Sequence, residues 1–199
     1  MISTRYRWIS RTALLLLLVT VLAIGLIASG IFDPSPAGTS LWRLENERMR
    51  LSSQSRDIIW LDEPVPDSPI TIHMTAAHRE GEEDIGYGLL FGDDAAYLAV
   101  GVSPLGYLAI WQSDAQSGGS TDSYLLEWQT WPHVKTEDSL NEIWVDIVGN
   151  QATVRVNREW LWEGIIASGS GNVGLLGESF GESAVIDFES VELFASNGK

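Results

Sequence analysis

The 199-residue sequence contains no cysteine, so neither a disulfide nor a thiolate metal site is available, and any exported domain must be held by packing alone. Its three histidines, His73, His78 and His133, are scattered, without the spacing of a ligand cluster. No H-E-x-x-H, P-loop or G-x-S-x-G motif occurs. Gly169–Gly174 matches G-x-G-x-x-G, but Leu175-Leu176-Gly177 follows where a dinucleotide site needs a helix, so the stretch reads as a turn entering a strand. Positive charge is also scarce, with 12 basic residues against 27 acidic. Long apolar runs are absent except for one.

That run is Thr12–Phe32, which carries no charge and follows Arg5, Arg7 and Arg11. At ~1.5 Å per residue it is long enough to cross a ~30 Å hydrocarbon layer as a helix. A cleaved signal peptide is the competing reading. Its apolar core is usually only ~7–15 residues, and Ala28, Ser29 and Gly30 make a weak cleavage site, so a retained anchor is expected. Residues 1–11 then stay in the cytoplasm and the C-terminal bulk faces outward, periplasmic or extracellular. Beyond the run, nine basic residues stand against 27 acidic, a net of −18. Nucleic acid is a poor partner for such a charge, which serves to keep an exported domain soluble. Residues 33–40, DPSPAGTS, form a short linker, and 41–199 form one domain.

This domain reads as β throughout, and Asn141–Gly164 fixes its own pairing. Ile143, Val145 and Ile147 alternate with Trp144, Asp146 and Val148, Gly149-Asn150 supplies a two-residue turn, and Ala152, Val154 and Val156 resume the period of two. The pairs Ile147/Ala152, Val145/Val154 and Ile143/Val156 share a core face; Trp144/Arg155 and Asp146/Thr153 share the other. A second turn at Asn157-Arg158 folds Glu159–Gly164 back, with Leu161 beside Val154 and Trp160 beside Arg155. Arg158 is an awkward turn residue, because such turns need positive φ at both central positions. Upstream, Leu41–Ser52 reads as a hairpin turning at Asn46-Glu47. Arg56–Leu61, Ile70–Arg79, Ile85–Gly92, Tyr97–Val102, Tyr107–Gln112 and Tyr124–Trp131 read as strands, and Ser103–Gly106 as a type I turn. Ile85–Gly92 and the next pair of strands are apolar on both faces. Gln116–Ser123 reads as a flexible connection.

Tyr87–Phe91, Tyr97–Val102, Gly106-Tyr107, Trp128–Pro132, Asn141-x-Ile143-x-Val145, Val154–Asn157, Gly171-x-Val173-Gly174-Leu175 and Val185-x-Asp187-Phe188-x-x-Val191 occur in that order. The set resembles concanavalin A-like lectin/glucanase domains, particularly laminin-G-like and 3-keto-disaccharide-hydrolase-like modules. The resemblance covers Leu41–Phe194 and implies a two-sheet antiparallel jelly-roll sandwich.

Related glucanases carry E-x-D-x-x-E or E-x-D-x-E, which projects acids to one face. The nearest match, Asp187-Phe188-Glu189, is read as placing its carboxylates on opposite faces, so no catalytic residue is assigned and glycosidase activity is not expected. Calcium is common in related sandwiches, and Glu80, Glu82, Glu83, Asp84, Asp93 and Asp94 would supply oxygens, but they read as solvated loop acids. No metal or cofactor is assigned.

Nine tryptophans remain. Trp144, Arg155 and Trp160 form a row, with Trp162 one step along the same face, and this row is the candidate binding surface. The expected function is a membrane-anchored binding module for a glycan or a protein at the cell envelope. The alternatives are an accessory subunit of a membrane complex, docked by its helix in the bilayer, and a hydrolase of a modified disaccharide.

Overall fold

The structure is a computed structural model that describes residues 4–28, 38–67, 69–114, 121–167 and 169–196, with the side chains of 4–10, 27, 28 and 121 excepted. Among the described residues one helix, α1 (Thr4–Ala28), is followed by twelve strands: β1 (Thr39–Leu51), β2 (Arg56–Trp60), β3 (Ile70–Gly81), β4 (Ile85–Gly92), β5 (Ala96–Val102), β6 (Tyr107–Asp114), β7 (Thr121–Thr130), β8 (Asn141–Val148), β9 (Gln151–Val156), β10 (Glu159–Ile165), β11 (Asn172–Ser179) and β12 (Ala184–Ala195). The chain divides into two compact units, Met1–Ser35 and Pro36–Lys199.

The helix starts earlier than Thr12 and includes Arg5, Arg7 and Arg11, all good helix formers. Leu14 to Leu18, Val19, Val21 and Leu22 are each more than half exposed. The expectation of a bilayer span at Thr12–Phe32 finds no support here: among the described residues no helix is long and apolar enough to cross a membrane. Residues 29–32 of that span, and 33–37 of the expected linker, lie outside the described residues.

All strand pairings in the second unit are antiparallel. Sheet A has the order β1-β12-β3-β8-β9-β10 and sheet B the order β2-β11-β4-β5-β6-β7. Between them lies one continuous core, to which β3 gives Ile70, Ile72 and Met74, β4 gives Tyr87, Leu89 and Phe91, β8 gives Ile143, Val145 and Ile147, and β12 gives Ile186, Phe188 and Leu193. This is the expected two-sheet sandwich.

The β8–β9 hairpin has the register expected from its alternation, from Ile143↔Val156 to Val148↔Gln151. Gly149 takes φ 59°, which places glycine at the first central position of the turn, where it meets no steric penalty. Asn157 and Arg158 both adopt positive φ, 50° and 74°. The unfavourable turn is held by Asn157, whose Nδ2 donates to the carbonyl of His133 (2.6 Å) and to Asn141 Oδ1 (2.8 Å), while its Oδ1 accepts from the Glu142 amide (2.9 Å).

Two local readings are corrected. Leu41–Ser52 is not a hairpin: Thr39–Leu51 is a single strand paired along its length with β12. Asn46 does take positive φ (62°), but as a kink within that strand rather than as a turn. On β10 the register shifts between Trp160 and Trp162, so Trp162, not Leu161, pairs with Val154. The bulge inserts one residue and moves Trp162 off the face of Trp160, against the core.

Candidate functional site

The four residues expected to form a binding surface are separated by the fold. Trp144 and Arg155 pair across β8 and β9, and Arg155 pairs onward with Trp160, so the three-strand row exists. However, Trp144 is only 4% exposed. The Arg155 guanidinium lies 5.3 Å from its ring centroid, and Asp146 ties the two together, accepting from Trp144 Nε1 (3.0 Å), Arg155 Nη1 (2.6 Å) and Thr71 Oγ1 (2.7 Å). The Trp144 N–H and both oxygens of Asp146 thus have internal partners. Trp160, 56% exposed, presents a free ring face.

The pair Asp187 and Glu189 is also corrected. Residues two apart on a strand share a face, and both carboxylates lie on the outer face of sheet A, joined by Arg79, whose Nη2 donates to Glu189 (2.6 Å) and whose Nε is 3.4 Å from Asp187. Arg48 grips Asp187 with two bonds, at 2.6 and 2.8 Å. The hydrogen bond and charge of Arg48 hold the Asp187 carboxyl below the usual carboxylate range. A glycosidase acid needs the opposite shift. The arrangement is an ion-pair network, with no proton donor in Asp187.

The outer face of sheet B is different in kind. On β4 it presents Gly86, Gly88 and Leu90, on β5 Tyr97, Ala99 and Gly101, on β6 Ala109 and Trp111, on β11 Gly174 and Leu176. Leu90, Tyr97, Ala99, Ala109, Trp111 and Leu176 are buried there as a second apolar cluster, joined by Ile58, Trp60 and Trp128. This accounts for strands that are apolar on both faces. Arg56 shows how the burial arises. It belongs to β2 at one edge of the sheet, yet its Nη1 is 2.6 Å from Asp122 on β7, the opposite edge. In a flat six-stranded sheet those edges would be ~24 Å apart. The sheet must therefore curl, with its outer face concave.

Across this concavity runs a row of rings: Phe180–Trp128, Trp128–Trp111 and Trp111–Tyr124, with centroids 6.0, 6.2 and 5.9 Å apart. Glycine makes room for it. A Cβ on Gly86 would stand 2.8 Å from the Trp128 ring, and one on Gly101 3.1 Å from it. At the Phe180 end is a pocket of about 310 Å³ lined by Asp84, Ser103, Tyr107, Trp128 and Phe180. Tyr107 and Phe180 are 40% and 42% exposed. Exposed ring faces beside one carboxylate and two hydroxyls, those of Ser103 and Tyr107, suit a ligand that is apolar on its faces and polar at its rim.

The residues of this pocket come from the β3–β4 turn, the β5–β6 turn, β6, β7 and the segment after β11, a distribution that alternation within one hairpin does not reveal. Of the acids considered for calcium, Glu82 Oε1 accepts from the amides of Glu83 and Asp84, Asp93 Oδ1 from those of Ala95 and Ala96, and Asp94 from Trp60 Nε1. Among the described residues no group of three or more His, Asp or Glu is placed to hold a metal ion.

The fold defines the class: an antiparallel β-sandwich of two six-stranded sheets. No protein-family model and no curated protein matches the sequence. Solved structures match its fold. One from work on endo-acting O-glycanases of the human gut microbiota that initiate mucin breakdown has a TM-score of 0.58 at 8% identity, covering 76% of this chain and 80% of that one. A glycoside hydrolase family 16 endo-glucanase from Bacteroides ovatus has a TM-score of 0.54 at 8% identity, covering 75% and 80%. A functionally unknown protein from Saccharomyces cerevisiae has a TM-score of 0.53 at 11% identity, covering 83% and 96%. At these identities the likeness establishes the fold alone.

Proposed function

We propose that this chain is a non-catalytic glycan-binding module of the cell envelope, whose sandwich takes its ligand at the aromatic pocket of sheet B. The observation that carries this reading is the meeting of Tyr107, Trp128 and Phe180 around about 310 Å³ with Asp84 and Ser103 in the wall. Sugar rings present C–H faces that stack on aromatic rings and hydroxyls that bond a carboxylate or a serine. Two neighbours named for cleaving glycans lend support, since the same scaffold carries glycan recognition there. The non-catalytic part rests on Arg48 and Arg79, which hold Asp187 and Glu189 in ion pairs. Attachment to a membrane is part of the reading: residues 12–32 carry no charge, and the apolar side chains of α1 stand exposed. Arg5, Arg7 and Arg11 would keep that end in the cytoplasm and the acidic sandwich outside.

The test is a glycan array probed with full-length protein in mild detergent, followed by calorimetry on the best ligand with Trp128→Ala and Trp160→Ala. Trp128→Ala abolishes binding with little change in melting temperature, whereas Trp160→Ala, on the other sheet, leaves it intact. Binding that survives Trp128→Ala, or an array with no signal, overturns the proposal.

A further inference from the structure

The ring row does not end in an open pocket at both sides. At its Trp111–Tyr124 end the Arg56 guanidinium lies 5.6 Å from the Trp111 ring centroid, bonded to Asp122 (2.6 Å) and through both Nε and Nη2 to Glu178 (3.1 Å each). Two polar atoms flank this bridge without a hydrogen-bond partner: the Nε1–H of Trp111, a residue wholly buried, and Oδ1 of Asp122. An indole N–H can only donate, and a carboxylate oxygen can only accept. Buried groups of either kind are costly when unpaired, and native proteins rarely leave them so. The same chemical group suits either, because a hydroxyl can accept from an indole N–H and can donate to a carboxylate oxygen. Arg56 keeps about a quarter of its side chain exposed (27%), so its head has a path to solvent without unfolding β2.

We propose that Arg56 is a ligand-displaceable gate over a second, hydroxyl-binding subsite formed by Trp111, Tyr124 and Asp122, and that the concave face of sheet B therefore takes a linear saccharide of several units rather than a single sugar. This rests on the glycan-binding reading above. A chain seated on Phe180 and Trp128 is led by the ring spacing of about 6 Å toward Trp111. There its next unit replaces the guanidinium, offering hydroxyls to Trp111 Nε1, Asp122 and Glu178 while Arg56 turns outward. A short ligand fills the pocket alone and leaves the gate shut.

The experiment compares disaccharides with hexasaccharides, using cellobiose and cellohexaose, laminaribiose and laminarihexaose, xylobiose and xylohexaose, and chitobiose and chitohexaose. Full-length wild type, Arg56→Ala, Arg56→Gln and Trp111→Phe are titrated by calorimetry, with melting curves confirming the fold. Opening the gate with either Arg56 variant strengthens hexasaccharide binding by about fivefold to tenfold, the factor one or two net hydrogen bonds give, and leaves disaccharide binding unchanged. Trp111→Phe keeps the ring but deletes the donor, so the hexasaccharide falls to the affinity of the disaccharide. A hexasaccharide that binds all four proteins equally, or more weakly once Arg56 is replaced, overturns the gate while leaving the pocket standing. If no probe binds wild type, or Trp128→Ala binds all of them as wild type does, the glycan-binding reading falls and the gate with it.

Discussion

Gly86→Ala probes the aromatic pocket from underneath. Gly86 lies on sheet B's outer face near the start of β4 and does not have the positive φ that would forbid a side chain. Its new methyl would stand 2.8 and 2.9 Å from two carbons of the Trp128 ring, and 4.0 Å from Phe180. Carbon atoms settle at ~3.5–4.0 Å, so the indole must lift by about 0.8 Å. Were the ring wedged in a filled core, such overpacking would cost ~1–3 kcal/mol. Trp128 is only part-buried, on the edge strand β7, and borders an open pocket, so it has room to move. Replacing glycine also removes freedom from the unfolded chain, worth ~0.4–1 kcal/mol in the opposite direction. The two effects nearly cancel, and the melting temperature should move by no more than about 4 °C. Binding should suffer much more. A platform raised ~0.8 Å into its own pocket loses stacking worth ~0.5–1.5 kcal/mol, or up to about tenfold in affinity. Differential scanning calorimetry and titration with the saccharide chosen from the array read both numbers. A loss of more than ~3 kcal/mol in stability would refute the reasoning by showing the ring to be clamped, and an unchanged affinity would show that Trp128 does not touch the ligand.

Trp144→Ala should cost ~3–5 kcal/mol, as expected for a buried indole, and Trp160→Ala about 1 kcal/mol; equal losses in chemical denaturation would mean that the row is not divided as described. Acid should weaken the fold through Glu142, whose carboxyl is held below its ordinary value of 4.5, first by the hydrogen bond from His73 and with Arg158 nearby. A depressed folded value means that the unfolded chain takes up this proton first. The stabilisation is complete above about pH 4.5 and is lost as the pH falls through the folded value, so Glu142→Gln should flatten urea-midpoint curves in that window; an unaltered pH profile would contradict it. If residues 12–32 attach the protein to a bilayer, alkaline carbonate should leave it in the membrane pellet, and intact mass should show the first residues retained. Release into the supernatant, or a mass starting near Ile31, would exclude a retained anchor.

The sequence was most legible where the chain decides locally. In Ile143–Val156 the period of two and the Gly149-Asn150 turn leave one register that buries the apolar side, and the hairpin takes it. Arg158 shows that propensity yields to context, since the side-chain bonds of Asn157 impose a turn that Arg158 resists. The β10 bulge has no such signature: Glu159–Gly164 reads equally well in either register until the core claims Trp162. Asn46-Glu47 carried a turn-like signal that eleven paired positions with β12 override. The error at Asp187 and Glu189 lay in counting, because alternation itself puts residues two apart on one side. The pocket and its gate were beyond reach for another reason. Ile85–Gly92 announced itself as covered on both faces, but the covering rings, Trp128 and Phe180, and the bridging Arg56 meet only through the curl of the whole sheet.

Sheet A imposes a schedule on folding. Among the described residues its edge strand β1 is the first strand in the chain and its partner β12 the last, with Thr39 opposite Ala195. β12 also sits between β1 and β3, so β1 has no partner in the sheet until the final strand arrives, and β3 has only β8. Closing a loop of this size costs roughly 4 kcal/mol in chain entropy before any contact is gained, which makes such topologies slow to form. During that wait the unpaired edge must resist joining other chains. Arg43, Glu45, Glu47, Arg48 and Arg50 along β1 supply charges that discourage it, so the strand that waits longest is also the one whose edge is best guarded.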